Sequence, residues 1–317
     1  MESFINVDTL YYSMFVEKRK IRNLVKYYLV HSYREKSKVK KIRRYLGSNL
    51  SKNELEKAKK NSENEIKREL EALNTDIFNF SLTKNQVEKL NKYDIKIHHF
   101  QHWEWKRFKE QFTYNTNAIE GSSVELKEVP EILKGKAIDS EEKETKGVAK
   151  AVDFIGDTKV EFSLELIKKL HKLCFAGSKD FAGSFRAVEV AIRNSRGDIL
   201  HRGVPVSELK EALDDLVGWY NRNKNKFKPL ALAAILHNQF EHIHPFTDGN
   251  GRVGRLLLNY ILIKNNCPPI NILLKDRAEY YQALQEYHKH NSLTPMLKFL
   301  IKQYKKTLKQ VTTKSKK

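Results

Sequence analysis

The sequence predicts a mainly α-helical protein with one short β-hairpin, preceded by a small basic β-meander and a helical connector. Three observations carry this. From Ser51 onward apolar residues recur at helical spacing and strands are scarce; the first fifty residues are short aromatic and β-branched runs; and "GSFRAVEVAIRNSRGDILHRGVP" alternates among turn signals.

The composition bounds the problem. At 317 residues the chain exceeds one typical domain, so a large catalytic domain with a smaller appendage is expected. With 59 Lys+Arg against 39 Asp+Glu, the net charge of +20 favours anionic partners such as nucleotides, nucleic acid or acidic protein surfaces. The two cysteines, Cys174 and Cys267, form no CxxC pattern, which excludes a disulfide framework and a zinc ribbon and suits a reducing cytoplasm. "MESFINVDTL" has no basic stretch ahead of an apolar run, and no segment approaches the roughly eighteen apolar residues of a membrane span. A cytoplasmic protein without membrane contact is expected.

Residues 1–50 hold "FVEKRKI", "KYYLVHSYR" and "KVKKIRRYLG", separated by turn-like "RN" and "EKS", and read as the three strands of the meander. Tyr27, Tyr28, Tyr33 and Tyr45 lie among Arg34, Lys36, Lys38, Lys40, Lys41, Arg43 and Arg44. They either stack nucleic-acid bases beside phosphate-binding cations or form the module's only core. Residues 51–111 open with the capping-box pattern "SKNE" and continue as a helix charged nearly all round, suited to a connector or a contact between copies of the chain. A second helical run extends from about Lys84 through "YNTNAIEG". Ser122 or Ser123 is placed to cap the helix of "SSVELKEVPEIL". The hairpin then falls on Phe185, Val188, Val190 and Ile192. "PLALAAILHNQFEHI" and "RVGRLLLNYILIKN" are helices, the first opened by Pro229, and residues 302–317 read as a basic tail or frayed helix end.

Between those last two helices lies HPFTDGNGRVGR, residues 244–255. Gly249, Asn250, Gly251 and Gly254 permit left-handed backbone and close ligand approach, and amides opening onto a helix N-terminus cradle an anion. Asp248 is a hard oxygen ligand suited to Mg²⁺ on phosphates. Arg252 and Arg255 are three apart on the following helix, so both can reach phosphate oxygens. His244 can accept a hydroxyl proton near neutral pH. Together these residues point to group transfer from a polyphosphate. The stretch is no Walker loop and no Rossmann fingerprint, and counting from Asp248 an EF-hand would need Glu where Asn259 stands. "HNQFEHIH" lacks the HExxH spacing of a zinc helix, so His237 and His242 read as a packed and a surface histidine.

At every defined position HPFTDGNGRVGR resembles the Fic signature HPFx(D/E)GNGRxxR. The resemblance extends over residues 112–301: "LALAAILHNQFEHIHPF" is similar to the family's motif helix, "FRAVEVAI" to its flap hairpin and "RAEYYQAL" to the helix closing the nucleotide pocket. It implies a helical Fido fold and transfer of AMP from ATP, with Mg²⁺ or Mn²⁺, to a hydroxyl of a target protein. His244 would then be the base and Asp248 the metal ligand. Gly249, Asn250 and Gly251 would form the anion hole, Arg252 and Arg255 would meet the phosphates, and Tyr281 would wall the nucleotide pocket. Val188, Glu189, Val190, Ala191 and Ile192 would present the target's extended backbone by β-augmentation. Phe246 would turn the loop inward. Where related pockets offer Asn to adenine, this chain offers "EYHKHN", with His288 nearest.

Upstream, "TNAIEG", Thr116 to Gly121, resembles the family's inhibitory pattern (S/T)xxxE(G/N). Glu120 pairing with Arg255 would occupy the guanidinium that the γ-phosphate needs. The expectation is a self-inhibited protein adenylyltransferase. The alternatives are a nucleic-acid-associated regulator working through the basic module, or an enzyme that mainly removes AMP through a water held by Glu120.

Overall fold

The computed structural model describes residues 14–35, 38–78, 80–93, 105–157, 159–193 and 196–311. The chain divides into two compact units, one up to Lys89 and one from Leu90.

In the first unit, β1 (Met14–Ile21), β2 (Leu24–Glu35) and β3 (Lys38–Ser48) form the expected antiparallel meander in the order β1-β2-β3. Ile21 pairs with Leu24 across the "RN" turn, where Arg22 is left-handed. A bulge between Tyr27 and Tyr28 shifts the β2–β3 register. Tyr27, Tyr28 and Tyr45 are not the core here: Leu29 and Ile42 are buried on Ile66 of α1 (Lys52–Leu73), with Met14, Val16 and Leu46 packed around them. One buried face is enough to fasten an otherwise charged helix. The capping box forms, the Ser51 N–H donating 2.9 Å to Glu54 Oε2 and the Glu54 N–H 3.4 Å to Ser51 Oγ. A hairpin of β4 (Asn74–Ile77) and β5 (Phe80–Thr83), which helical spacing did not signal, follows directly. α2 (Lys84–Asn91) is short, so the long helical run expected from Lys84 is broken before α3 (Trp105–Ile119).

The second unit is helical. α3, α4 (Val129–Lys134), α5 (Ser140–Asp157) and α6 (Leu164–Phe175) precede a hairpin of β6 (Ala191–Arg193) and β7 (Ile199–Arg202). α7 (Leu209–Asn223), α8 (Pro229–Ile243), α9 (Asn250–Lys264), α10 (Arg277–His290) and α11 (Thr294–Val311) complete it. In α8 every residue except Pro229 and His242 is buried. Such a helix must lie inside, and it packs against α7, α9, α10 and α11, while α9 also meets α3, α5 and α6.

Three local expectations change. Ser122 and Ser123 cap no helix, because both hydroxyls donate to Glu141 Oε2, at 3.0 and 2.8 Å, and α4 begins only after Glu128 with no side-chain cap. The hairpin starts at Ala191, so Phe185, Val188 and Val190 precede the strand. The basic tail drawn from residue 302 is helical to Val311, since Gln303 and Thr307 are fully buried and Thr307 Oγ1 accepts from the Asn271 N–H at 2.9 Å. Among the described residues no helix is long and apolar enough to cross a membrane.

Candidate functional site: a loop between two buried helices

α8 ends on His244, held in the left-handed conformation at φ 53, which turns the chain out of the helix. α9 begins after Gly249, at φ 85. A Cβ on Gly249 would stand 2.2 Å from Phe175 Cε2, so the loop needs glycine for both conformation and clearance. Between these turns Phe246 is fully buried and stacks on His171 with centroids 3.8 Å apart. The Asn250 side chain staples the loop, accepting from the Phe246 N–H and donating to its carbonyl, both at 2.8 Å. Val253 N–H returns to the Gly249 carbonyl, so the N–H groups of Asn250, Gly251 and Arg252 have no carbonyl one helical turn behind them. N–H groups left free at a helix N-terminus in this way can receive an anion.

His244 is largely enclosed. Burial lowers its imidazole to about 4, against a weaker raising contribution from Glu241, so it is neutral at physiological pH. Its Nδ1–H donates to the Glu241 carbonyl at 3.3 Å, which leaves the Nε2 lone pair as the proton acceptor. Glu241 is itself buried, and loss of water raises its carboxyl to about 8; it is neutral beside Arg255.

The two arginines have different neighbours. Arg255 is buried, its Nε donating 2.7 Å to Thr116 Oγ1, and its Nη2 donating 3.0 Å to the Thr116 carbonyl and 2.7 Å to Glu120 Oε1. Thr116 and Glu120 are four apart at the end of α3 and share a face, which explains the spacing of the "TNAIEG" pattern. Burial opposes the Arg255 charge, but the Glu120 carboxylate together with Tyr280 and Tyr281 offsets it and the net shift is upward. Arg255 Nη1 is buried without a partner. Arg252 pairs with Glu144 of α5, lies over the Phe175 ring at 4.3 Å, and leaves its own Nε unpaired. The Asp248 carboxylate is half exposed, 3.6 Å from both Lys179 Nζ and Arg252 Nη2. Buried guanidinium N–H groups with no acceptor, amides open at a helix N-terminus and an accessible carboxylate are the donor set that a metal-bound polyphosphate fits.

Tyr281 of α10 stands beside this cluster: burial and the Glu120 charge raise its phenol, and Arg277 lies over its ring at 5.3 Å. On the other side run Val188, Glu189, Val190, Ala191 and Ile192, with Val188 and Glu189 exposed. Ala191 and Ile192 pair with Arg202 and His201 on one edge. Glu189, Val190, Ala191, Arg193, Arg202, Gly203 and Pro205 line a cleft of about 440 Å³ along the hairpin.

Sequence reasoning missed several residues. Arg186, buried in "FRAVEV", donates 2.8 Å to the His244 carbonyl and 3.0 Å to that of Val188, and also bonds the Val204 carbonyl, tying both ends of the hairpin to His244. A lone arginine within an apolar stretch was the available signal. His171 donates from Nε2 to the Asp248 carbonyl at 3.0 Å and accepts from the Gly183 N–H at 2.8 Å. Glu144 is one acid among many in α5 and gave no signal. His242, read as a surface histidine, is half buried because β7 and α10 bring His201 and His288 against it.

The motif therefore sits in a frame that can be compared. Residues 161–262 match the model of the Fic/DOC family. The chain is 33% identical over 208 residues to protein adenylyltransferase fic-1 of Caenorhabditis elegans, spanning 60% of this chain and 39% of that protein. It is 28% identical over 210 residues to protein adenylyltransferase Fic of Nematostella vectensis, spanning 62% and 47%. The chain thus spans less than half the length of these curated relatives. Among solved structures, a Fic domain-containing signalling protein from Bacteroides thetaiotaomicron superposes with a TM-score of 0.60 at 24% identity, covering 71% of this chain and 93% of that one. A Fic family protein from Desulfovibrio desulfuricans superposes with a TM-score of 0.57 at 25% identity, covering 66% and 67%. The helical core with its hairpin is a Fic fold, and residues 161–262, which hold α8, the loop and most of α9, match the Fic/DOC family model.

Proposed function

We propose that the protein is an adenylyltransferase that moves AMP from ATP to a hydroxyl of a target protein and is held off by Glu120. The observation that carries this reading is the Glu120 carboxylate 2.7 Å from Arg255, directly over the cradle: a Cβ on Gly251 would stand 2.3 Å from Glu120 Oε1. The carboxylate occupies space and charge that a bound triphosphate needs, so the nucleotide is excluded from its reactive pose.

Once Glu120 is displaced, the amides of Gly249, Asn250 and Gly251 accept the α- and β-phosphates, with Arg252 alongside and Arg255 meeting the γ-phosphate. Asp248 holds Mg²⁺ or Mn²⁺, which neutralises phosphate charge. Tyr281 bounds the nucleotide, and residues 188–192 with the adjoining cleft lay the target's backbone beside them, the outer edge of β6 having no strand partner among the described residues. His244 Nε2 takes the proton of the target hydroxyl as its oxygen bonds to the α-phosphorus. The bond from that phosphorus to the β-phosphate oxygen breaks, and pyrophosphate leaves with the electron pair. General-base action of this kind contributes about 10² to 10⁴ in rate.

The test is self-modification with labelled ATP and Mg²⁺, read by intact mass. Expected are weak labelling of the native chain, strong labelling of Glu120→Gly and none of Glu120→Gly with His244→Ala. A Glu120→Gly chain that binds ATP yet stays unlabelled would overturn the reading.

A second reading concerns the first unit and is compatible with the first. Lys18 Nζ lies 5.7 Å from the Tyr27 ring and Arg19 5.5 Å from Tyr28, which packs on the exposed Tyr45 with centroids 5.4 Å apart. Such interleaving of cations and aromatics suits single-stranded nucleic acid; Lys36, counted in the same patch, lies outside the described residues. Retention of the full chain on single-stranded DNA that falls steeply with salt is the expected result, and salt-independent behaviour opposes it.

A further inference from the structure

Beside the hairpin, three imidazoles that the adenylyl-transfer reading leaves unused converge from three elements. His201 is on β7, His242 in the last turn of α8 and His288 in the last turn of α10. Each has a ring nitrogen within 4.8 Å of the others, and the His201 and His288 rings are 4.0 Å apart between centroids. Packing alone explains this poorly, because His242 Nδ1 and His288 Nε2 are buried with no hydrogen-bond partner. Each such orphan costs about 1–3 kcal/mol, and two in one cluster of imidazoles call for an acceptor of lone pairs. His201 is oriented for the same purpose: its Nε2–H donates 2.7 Å to the His242 carbonyl, fixing Nδ1 as the atom bearing the lone pair. A ligating histidine is held in this way by a carbonyl behind it.

We propose that His201, His242 and His288 bind one borderline divalent cation, for which Zn²⁺ is the best fit, in a three-imidazole site that pins the hairpin to the ends of α8 and α10. Nitrogens about 2.0–2.1 Å from a tetrahedral zinc stand about 3.4 Å apart, so the site closes by imidazole rotations of at most about 1.4 Å per pair. Three neutral nitrogens and no carboxylate select zinc, cobalt or nickel over Mg²⁺, so the site does not compete for the metal that Asp248 would hold. Water would supply the fourth ligand of a tetrahedral ion. Occupancy would fix β7, which follows the flap in sequence, and so set how freely the hairpin edge opens to a partner.

The test uses the tag-free full chain, cleared with a chelator and titrated with Co²⁺ and then Zn²⁺ in the absence of nucleotide, so its outcome does not depend on transferase activity. One equivalent of Co²⁺ giving the intense visible bands of a tetrahedral site, displaced by Zn²⁺, is expected. Loss of even an outer partner of a metal ligand costs about 10–100-fold in affinity, so His201→Gln and His288→Gln should each weaken binding by about a hundredfold or more. His290→Gln, on the exposed side of α10, should not. Zn²⁺ should raise the melting temperature of the native and His290→Gln chains alone. A folded native chain that takes up no stoichiometric cobalt, or cobalt binding equal in His201→Gln and His290→Gln, overturns the proposal.

Discussion

Arg255 is held by three acceptors, and only one of them carries charge. Removing Thr116 Oγ1 should therefore loosen the Glu120 clamp without abolishing it. Thr116→Val deletes one charge-assisted hydrogen bond worth about 1.5–3 kcal/mol, and the initial rate of AMP transfer should rise about tenfold or more while staying short of Glu120→Gly. An unchanged rate would show that Thr116 plays no part in holding the clamp. Arg186 acts on the base from the opposite side. Replacing it by Gln leaves the carbonyls of His244, Val188 and Val204 without their shared donor. In an otherwise folded chain carrying Glu120→Gly, kcat should fall about ten- to a hundredfold through misplacement of His244. The motif's own side chains were legible because each has a distinctive chemistry in a short span. Arg186 and Glu144 were not, since an arginine or glutamate identifies its partner only when the fold brings it 58 or 108 residues along the chain.

At the scale of the element, the junction of α8 and α9 is where local sequence and packing agree. Pro229 starts α8 and Ile243 ends it where the sequence placed them, while α9 begins at Asn250, two residues ahead of the expected Arg252, and the left-handed turn falls on His244 as well as on Gly249. Gly249→Ala should cost about 1–3 kcal/mol of stability and weaken nucleotide binding, because it adds left-handed strain to a contact 2.2 Å from Phe175. Chemical unfolding and ATP titration of the same variant measure both effects, and native-like values in each would show that the loop tolerates a side chain. α1 is the contrasting element. Its charge pattern suggested a connector, yet burial of Ile66 against Leu29 and Ile42 makes it part of the sheet's core. One buried residue among those described on a polar helix leaves almost no periodic signal.

Over the whole molecule, buried histidines set the response to acid. His171, His242 and His244 are lowered to about 4, and His237 and His288 to about 3, all chiefly by burial, from an ordinary value of 6.5. The unfolded chain binds these protons near pH 6.5 while the folded chain refuses them until pH 3–4. Stability is therefore fully present above about pH 6.5 and is lost as pH falls toward 4, by about 1.4 kcal/mol per pH unit for each unmatched proton. Glu241 works in the other direction: raised to about 8 by burial, its contribution is present below its ordinary 4.5 and is lost as pH rises through 8. One carboxyl against five imidazoles leaves the histidines in control between pH 4.5 and 6.5. A melting temperature several degrees lower at pH 5 than at pH 7.5 is expected, and equal values would mean that the imidazoles are hydrated in the folded chain.

The sequence by itself determined the helix, loop and helix of residues 229–264, the three-stranded basic module and the Glu120 pattern. Each is specified by neighbours a few positions apart: capping groups, glycines that relieve Cβ contacts, and alternating or helical apolar spacing. Tertiary structure alone decided that Thr116 meets Arg255 across 139 residues, that Glu144 meets Arg252, and that His201, His242 and His288 share one space. Those pairings depend on how buried helices pack, and packing is set by shape and volume summed over the whole core, which no short stretch of sequence encodes.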